Sequence, residues 1–386
     1  MMETTVSLQE QAGNASAGIS SKKRLDAVDL CKGILIFAVV LSHAWFAKPD
    51  LLGRYFPYSM PAFFFLAGYV YQPGRTYWKN IGRRVIQLLI PYFLFSIYCN
   101  ALYPIYLKLT NTWWDPAAFR GLWIACLKGD AMNMLMSTPM WFLTSLFTAS
   151  IVFFAIADPL RKSVGKSIAV IFVLIALTFG IEIIKKGVFI VWHLDYALFG
   201  CAMMLLGAMF GQKRLLAEFR WRTLILGLVL LFAAAVLNRF FPGSGKTSVV
   251  QYIENGKPYG VFTAFAIAVS GSIGLLGICT LLAKVPGVRH VFCWLGRNSI
   301  WILCIHYSAE MIIELWLFNH HYLTNSLIQV IMKEMYGYGY VWDTKRDIMI
   351  KVLVAVASIL ISAVYAVIHN SVKKAIRKHR AEKAAA

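Results

Sequence analysis

Apolar residues are gathered into ten long runs separated by short polar stretches, instead of alternating at helical or strand period. A hydrocarbon core about 30 Å thick takes about 20 helical residues to cross. The runs fall at about 28–46, 55–72, 85–107, 139–157, 168–184, 188–210, 223–241, 259–283, 298–318 and 348–368. The pattern predicts an all-α fold, a polytopic transmembrane helical bundle of about ten spans. Pro57 and Pro61 break the beginning of the second run, which makes it the weakest of the ten. Residues 1–23 are polar and lack the order of a cleavable signal, so they read as a disordered tail. A membrane domain over 24–370 and a basic tail over 371–386 complete the expected organisation.

Composition removes the soluble alternative for a chain of 386 residues: 59% are hydrophobic, only 15% are charged, and the mean hydropathy is +0.64. The net charge of +20 would suit a nucleic-acid binder if the basic residues formed a stripe. They sit between the apolar runs instead, so no nucleic-acid partner is expected; the partner is the lipid bilayer. On the side of the N-terminus lie 23 of the 38 Lys and Arg, against 13 on the other, with Lys32 and Lys351 at or within runs. The positive-inside bias and an even number of spans place both termini in the cytoplasm of a multi-pass cell-membrane protein. Two long segments on the opposite side, about 108–138 and 319–347, carry Trp113, Trp114, Trp123, Tyr336, Tyr338 and Tyr340, residues that favour the membrane interface. The seven cysteines form no C-x-x-C pair and read as small buried apolar residues, with no metal site expected. No internal repeat of the inverted-transporter kind stands out.

Ionisable groups inside a span are costly and mark function by default. The first run holds the best set, Asp29-Leu-Cys-Lys32, then ten residues, then His43. Eleven positions are close to three helical turns, so Lys32 and His43 share a face and stand roughly 16 Å apart along the axis. Asp29 lies one turn before Lys32, a spacing at which opposite charges meet. The bland reading, interfacial anchoring by Asp29 and Lys32 and a helix–helix hydrogen bond from His43, has about equal weight on spacing alone.

This first helix resembles that of the integral membrane acyltransferases of family 3, whose hallmark is a basic residue, usually Arg, ten residues, then His. Lys32 stands in the Arg position, which resembles the fucose 4-O-acetylase-like branch and turns a bidentate grip into a point charge. The resemblance continues in order through Ser59-Met-Pro-Ala-Phe-Phe-Phe-Leu-Ala-Gly-Tyr69, Gly82-Arg-Arg-Val-Ile-Gln-Leu-Leu-Ile-Pro-Tyr92, Trp141-Phe-Leu, and Leu295-Gly-Arg-Asn-Ser-Ile-Trp-Ile-Leu-Cys-Ile-His306. Gln87 occupies the place where the family often has a second Arg. The resemblance implies an O-acyltransferase with His43 as the catalytic residue. It implies a coenzyme A phosphate clamp from Lys32, Arg83 and Arg84, and supporting or acceptor-binding roles for Asp29, Trp141, His193, Asp195, Asn298 and His306.

Other polar groups read more plainly. His306, Glu310 and Glu314 recur at four-residue intervals on one face, which suits a hydrated interface stripe. Glu182, Lys185 and Lys186 read as a solvated helix edge. Gly243-Ser-Gly-Lys-Thr247 lacks the first glycine of a phosphate loop, and His320-His321 lacks identifiable partners for a metal.

The expected reaction takes an acyl group, most simply acetyl, from acyl-CoA in the cytoplasm to a hydroxyl of an extracytoplasmic glycan, lipid-linked sugar or other small acceptor. Acyl-CoA is a donor substrate, and no resident cofactor is expected. An imidazole, with an unperturbed pKa of about 6.5, suits the general base that hydroxyl attack on a thioester needs. Direct proton abstraction and an acyl-histidine intermediate both remain open. The rival reading is a glycan or small-molecule transporter whose buried charges line a path.

Overall fold

The computed structural model describes residues 25–44, 56–185, 188–240, 260–323 and 344–385. The expected N-terminal tail, the Gly243–Thr247 stretch, Lys186, and Tyr336, Tyr338 and Tyr340 lie outside them.

Every regular element among the described residues is helical. Besides short 3-10 turns at Ala131–Asn133, Leu135–Met140 and Val191–His193, they are in chain order α1 (Asp26–His43), α2 (Ser59–Tyr69), α3 (Tyr77–Thr110), α4 (Pro116–Lys128), α5 (Trp141–Leu160), α6 (Val164–Lys185), α7 (Leu194–Gln212), α8 (Trp221–Phe240), α9 (Gly260–Leu282), α10 (Pro286–Arg297), α11 (Ser299–Asn319) and α12 (Lys345–Ala385). Each of the ten apolar runs overlaps one of these helices. Eight helical segments are long and apolar enough to cross a membrane. The two exceptions are informative. α1 is 18 residues long but carries Asp26, Asp29 and Lys32. α2 has 11 residues, about 16 Å of helix, so the second run does not form the full crossing expected of it. Its helix begins only at Ser59, after Pro57, and Pro61 sits within its first turn, where a missing N–H costs nothing.

α3 is continuous but widens into a π-helical turn over Val85–Leu89, immediately before Pro91. Proline removes one donor from the ladder, and a widened turn absorbs that loss. α4 and α10 were not among the ten runs. α4 begins with Asp115 accepting from the Ala117 N–H at 2.8 Å, followed by Pro116, and ends at the left-handed Gly129. Its Phe119 stacks on Tyr103 and packs at a tilt against Trp114. α10 is a short amphipathic helix with Pro286 in its first turn and Arg297 in its last.

Close backbone approach through glycine fixes two of the helix pairs. A Cβ at Gly33 would fall on the carbonyl oxygen of Phe292, and one at Gly296 would fall on that of Asp29. α1 and α10 therefore pack antiparallel with their backbones in contact. Gly207 and Gly211 of α7 meet the Phe65 and Tyr69 carbonyls of α2 in the same way. Between helices in lipid there is no hydrophobic drive, and small residues that admit such contact supply the packing. α5 and α7 are central, each with 67% of its apolar window buried; α8, at 17%, is peripheral. Its exposed Ile225, Val229 and Phe232 are the residues lipid would cover.

One end of the bundle, the basal end, gathers the start of α1, α3 and α11 with the ends of α2, α5 and α7. Contacts there include Asp26–Arg289 at 3.9 Å, Asp29–Arg297 at 3.3 Å, Tyr71 donating to Asp158 at 2.9 Å, and Tyr69 donating to the Leu215 carbonyl at 2.7 Å. α12 has 41 residues and continues through residue 370 into the basic segment. All seven cysteines are free and buried.

Candidate active site

α1 carries Lys32 near its first turns and His43 at its last residue. Both side chains are half-buried, and the near-integral number of turns between them keeps them on one face. At the far end of α1, the His43 ring meets α11. Its centroid is 5.4 Å from that of His306 and 5.1 Å from that of Tyr307. The structure thus brings together two histidines separated by more than 260 positions in the chain.

His306 is fully buried, and its Nδ1 lies 2.8 Å from the Ile302 carbonyl. A carbonyl oxygen only accepts, so Nδ1 carries the hydrogen and the neutral ring presents Nε2 as a bare acceptor. That Nε2 is buried and has no hydrogen-bond partner. A buried polar atom left unsatisfied in this way is uncommon, and here it lies in the ring that packs beside His43.

The expected phosphate-clamp residues separate. Arg84 turns inward, with its guanidinium 5.8 Å from the centre of the Phe154 ring on α5, whereas Arg83 is exposed. Adjacent helix positions point about 100° apart, so the two cannot present the same face. Arg84, at the end of a helical stretch that gives way to the π turn, is the inward-facing member.

Asp29 is buried, and its carboxylate accepts from Arg297 Nε at 3.3 Å. Arg297 supplies this hydrogen bond because the glycine contact draws α10 against α1, a partner that the interval between Asp29 and Lys32 does not reveal. Asn298 also sits at the basal end. It donates to the Trp294 carbonyl at 2.9 Å and accepts from Asn370 at 3.1 Å, tying α10, α11 and α12 together at a distance from His43.

Trp141, His193 and Asp195 form a second grouping. The rings of Trp141 and His193 are 4.8 Å apart, and Tyr196 lies 5.6 Å and 5.5 Å from them. Asp195 is buried in the first turn of α7, where the helix dipole favours an anion. Trp192 and His193 both adopt left-handed backbone, φ 55° and 51°, which costs non-glycine residues about 1–3 kcal/mol each. Trp192 is fastened by its indole N–H to the Leu127 carbonyl at 2.9 Å.

Two sequence expectations need correction. Glu310 and Glu314 are buried, at 2% and 1% exposure, so they form no hydrated stripe: α12 covers them. Glu182 is buried as well and is not a solvated edge. His320 caps the end of α11, its Nδ1 2.9 Å from the Trp316 carbonyl. Among the described residues no group of three His, Cys, Asp or Glu is placed to hold a metal ion.

These features define a polytopic helical membrane protein with a paired-histidine site buried between its first and eleventh helices. The model of the family 3 acyltransferase domain matches residues 25–367, and the chain belongs to that family: it is a membrane acyltransferase. No curated relative and no solved structure matches the chain.

Proposed function

We propose that the protein is an O-acyltransferase that moves an acyl group, most simply acetyl, from acyl-CoA at the cytoplasmic face to a hydroxyl of an extracytoplasmic glycan or other small acceptor. The observation that carries this reading is the placement of His43 against His306, on the same α1 face as Lys32 and about 16 Å along it. The basal end is then cytoplasmic, with both termini, in the cell membrane. Lys32 and the inward Arg84 serve the donor's phosphates by charge-assisted contacts. The pantetheine arm reaches along α1 and presents the thioester carbonyl to the acceptor beside His43.

In the direct form of the reaction, neutral His43 takes the hydroxyl proton as the oxygen attacks the carbonyl carbon. The new C–O bond forms, the C–S bond breaks, and the thiolate leaves toward the basal end. His306, with its hydrogen fixed on Nδ1, offers Nε2 to the acceptor hydroxyl or to the His43 N–H. Trp141, His193 and Asp195 supply an aromatic and carboxylate surface suited to a polyhydroxyl acceptor.

The test is thioester consumption by purified protein in proteoliposomes, with donor inside and candidate sugars outside. Acyl-CoA loss matched by ester formation on the acceptor supports the reading. Sugar translocation without thioester loss would replace it with transport.

A further inference from the structure

The transfer step leaves one proton on the histidine pair in every turnover, and the buried polar groups above His306 are not used by it. Glu310 stands one turn beyond His306 on the same helix, close enough for the two side chains to be neighbours. It is 2% exposed, and its Oε2 is buried without a hydrogen-bond partner. Its Oε1 lies 3.1 Å from Ser358 Oγ of α12, and that same hydroxyl lies 2.8 Å from the Ala355 carbonyl. A serine has one hydrogen to give. Ala355, a carbonyl, can only accept and has the shorter contact. With the hydroxyl hydrogen given to the Ala355 carbonyl, the 3.1 Å contact to Glu310 is a hydrogen bond only if the glutamic acid supplies its hydrogen.

Resting on the transferase reading above, we propose that Glu310 is held as a protonated acid by Ser358 and is the proton-exchanging partner of the His43–His306 pair. When the acceptor's proton reaches His306 Nε2, the new imidazolium beside the neutral acid favours loss of the Glu310 proton toward the far end of the bundle. The ring then returns its extra proton to the carboxylate. Neutral imidazole and neutral acid are restored, one proton has left, and the thiolate takes its own from the basal side. Glu310 does not touch the reacting atoms; it acts through His306.

On the elements packed against α11, the charged and titratable groups toward this end are His306, Tyr307 and Glu314 on α11 itself, Lys351 and Asp347 on α12, His43 on α1, and Tyr98, Cys99, Tyr103, Tyr106 and Lys108 on α3. Residues Leu135–Met140, which also pack on α11, bring none. Glu314 and Lys351 are both buried at the end from which the proton would depart.

Two readouts separate this inference from the function it rests on. Infrared difference spectroscopy of the full-length protein, with proton–deuteron exchange, should show the C=O stretch of a protonated carboxyl that is lost in Glu310→Gln and shifted in Ser358→Ala. This measurement needs no turnover. A spectrum unchanged in Glu310→Gln overturns the proposal. In proteoliposomes clamped at constant internal pH, wild-type transfer should depend on external pH, while Glu310→Gln loses that dependence and turns over about 10²-fold more slowly. A variant with the wild-type rate and profile overturns it too. Absence of thioester consumption by the wild type overturns the transferase reading, while the infrared band still decides the protonation of Glu310.

Discussion

The two ends of α1 are built on opposite rules. Its first turns are sealed: Asp26 and Asp29 meet arginines of α10, and Gly33 and Gly296 bring the two backbones into contact. Its last turn is open to chemistry. His43 lies beside His306, whose Nε2 has no hydrogen-bond partner. Satisfied pairs and tight packing hold a helix; unsatisfied buried atoms cost stability and persist where a ligand or proton completes them. The difference separates the residues that position the site from those that act in it.

Substitution at the open end should destroy activity and spare stability. His43→Ala is expected to lower acyl transfer by about 10²- to 10⁴-fold, with an unchanged melting temperature and unchanged donor binding. A near wild-type rate in a correctly inserted variant would move the catalytic role to His306 or His193.

Lys32 lies between the two ends and tests the donor route. Lys32→Ala or Arg84→Ala should weaken acyl-CoA binding by about 10- to 100-fold, the worth of a charge-assisted contact, and flatten its dependence on salt. Arg83→Ala, which alters an exposed side chain, should change affinity far less. Calorimetric titration of the three variants checks this ranking, and equal effects at 83 and 84 would remove the distinction drawn from the Phe154 contact.

The sealed end should respond in the reverse sense. Gly33→Val forces a side chain onto the Phe292 carbonyl and is expected to cost about 1–3 kcal/mol. It should appear as a lowered melting temperature in detergent. Arg297→Ala should cost less, about 1 kcal/mol, because Arg297 is 44% exposed and its attraction to Asp29 is screened. A larger loss from Arg297→Ala than from Gly33→Val would mean that the ion pair, and not backbone contact, fixes α10.

Much of this architecture was legible because helices have a fixed rise and period. The length of the runs announced membrane helices, and the interval from Lys32 to His43 placed both on one face without any knowledge of neighbours. Partners across the bundle were not legible. Nothing local to His43 points to His306, which entered only through resemblance to a family. Arg297 stood in the sequence only as part of the Leu295–His306 stretch, although α10 could have been suspected from Pro286 followed by Arg289, Val291, Phe292 and Leu295 at amphipathic spacing. Glu310 is buried and meets Ser358, nearly fifty residues later, so a stripe that local pattern assigned to water belongs to the interior. The π turn after Arg84 left no mark apart from Pro91.

α12 extends for 41 residues, about 62 Å of helix, or roughly twice the thickness of the hydrocarbon core. No glycine or proline interrupts it from Lys345 to Ala385. Two of its side-chain contacts, Ser358 with Glu310 and Asn370 with Asn298, therefore sit on one unbroken rod, twelve residues and about 18 Å apart along its axis. The spacing between the buried acid and the basal end of α11 is thus ruled off by a single helix, whose basic residues from Lys373 onward continue the same rod.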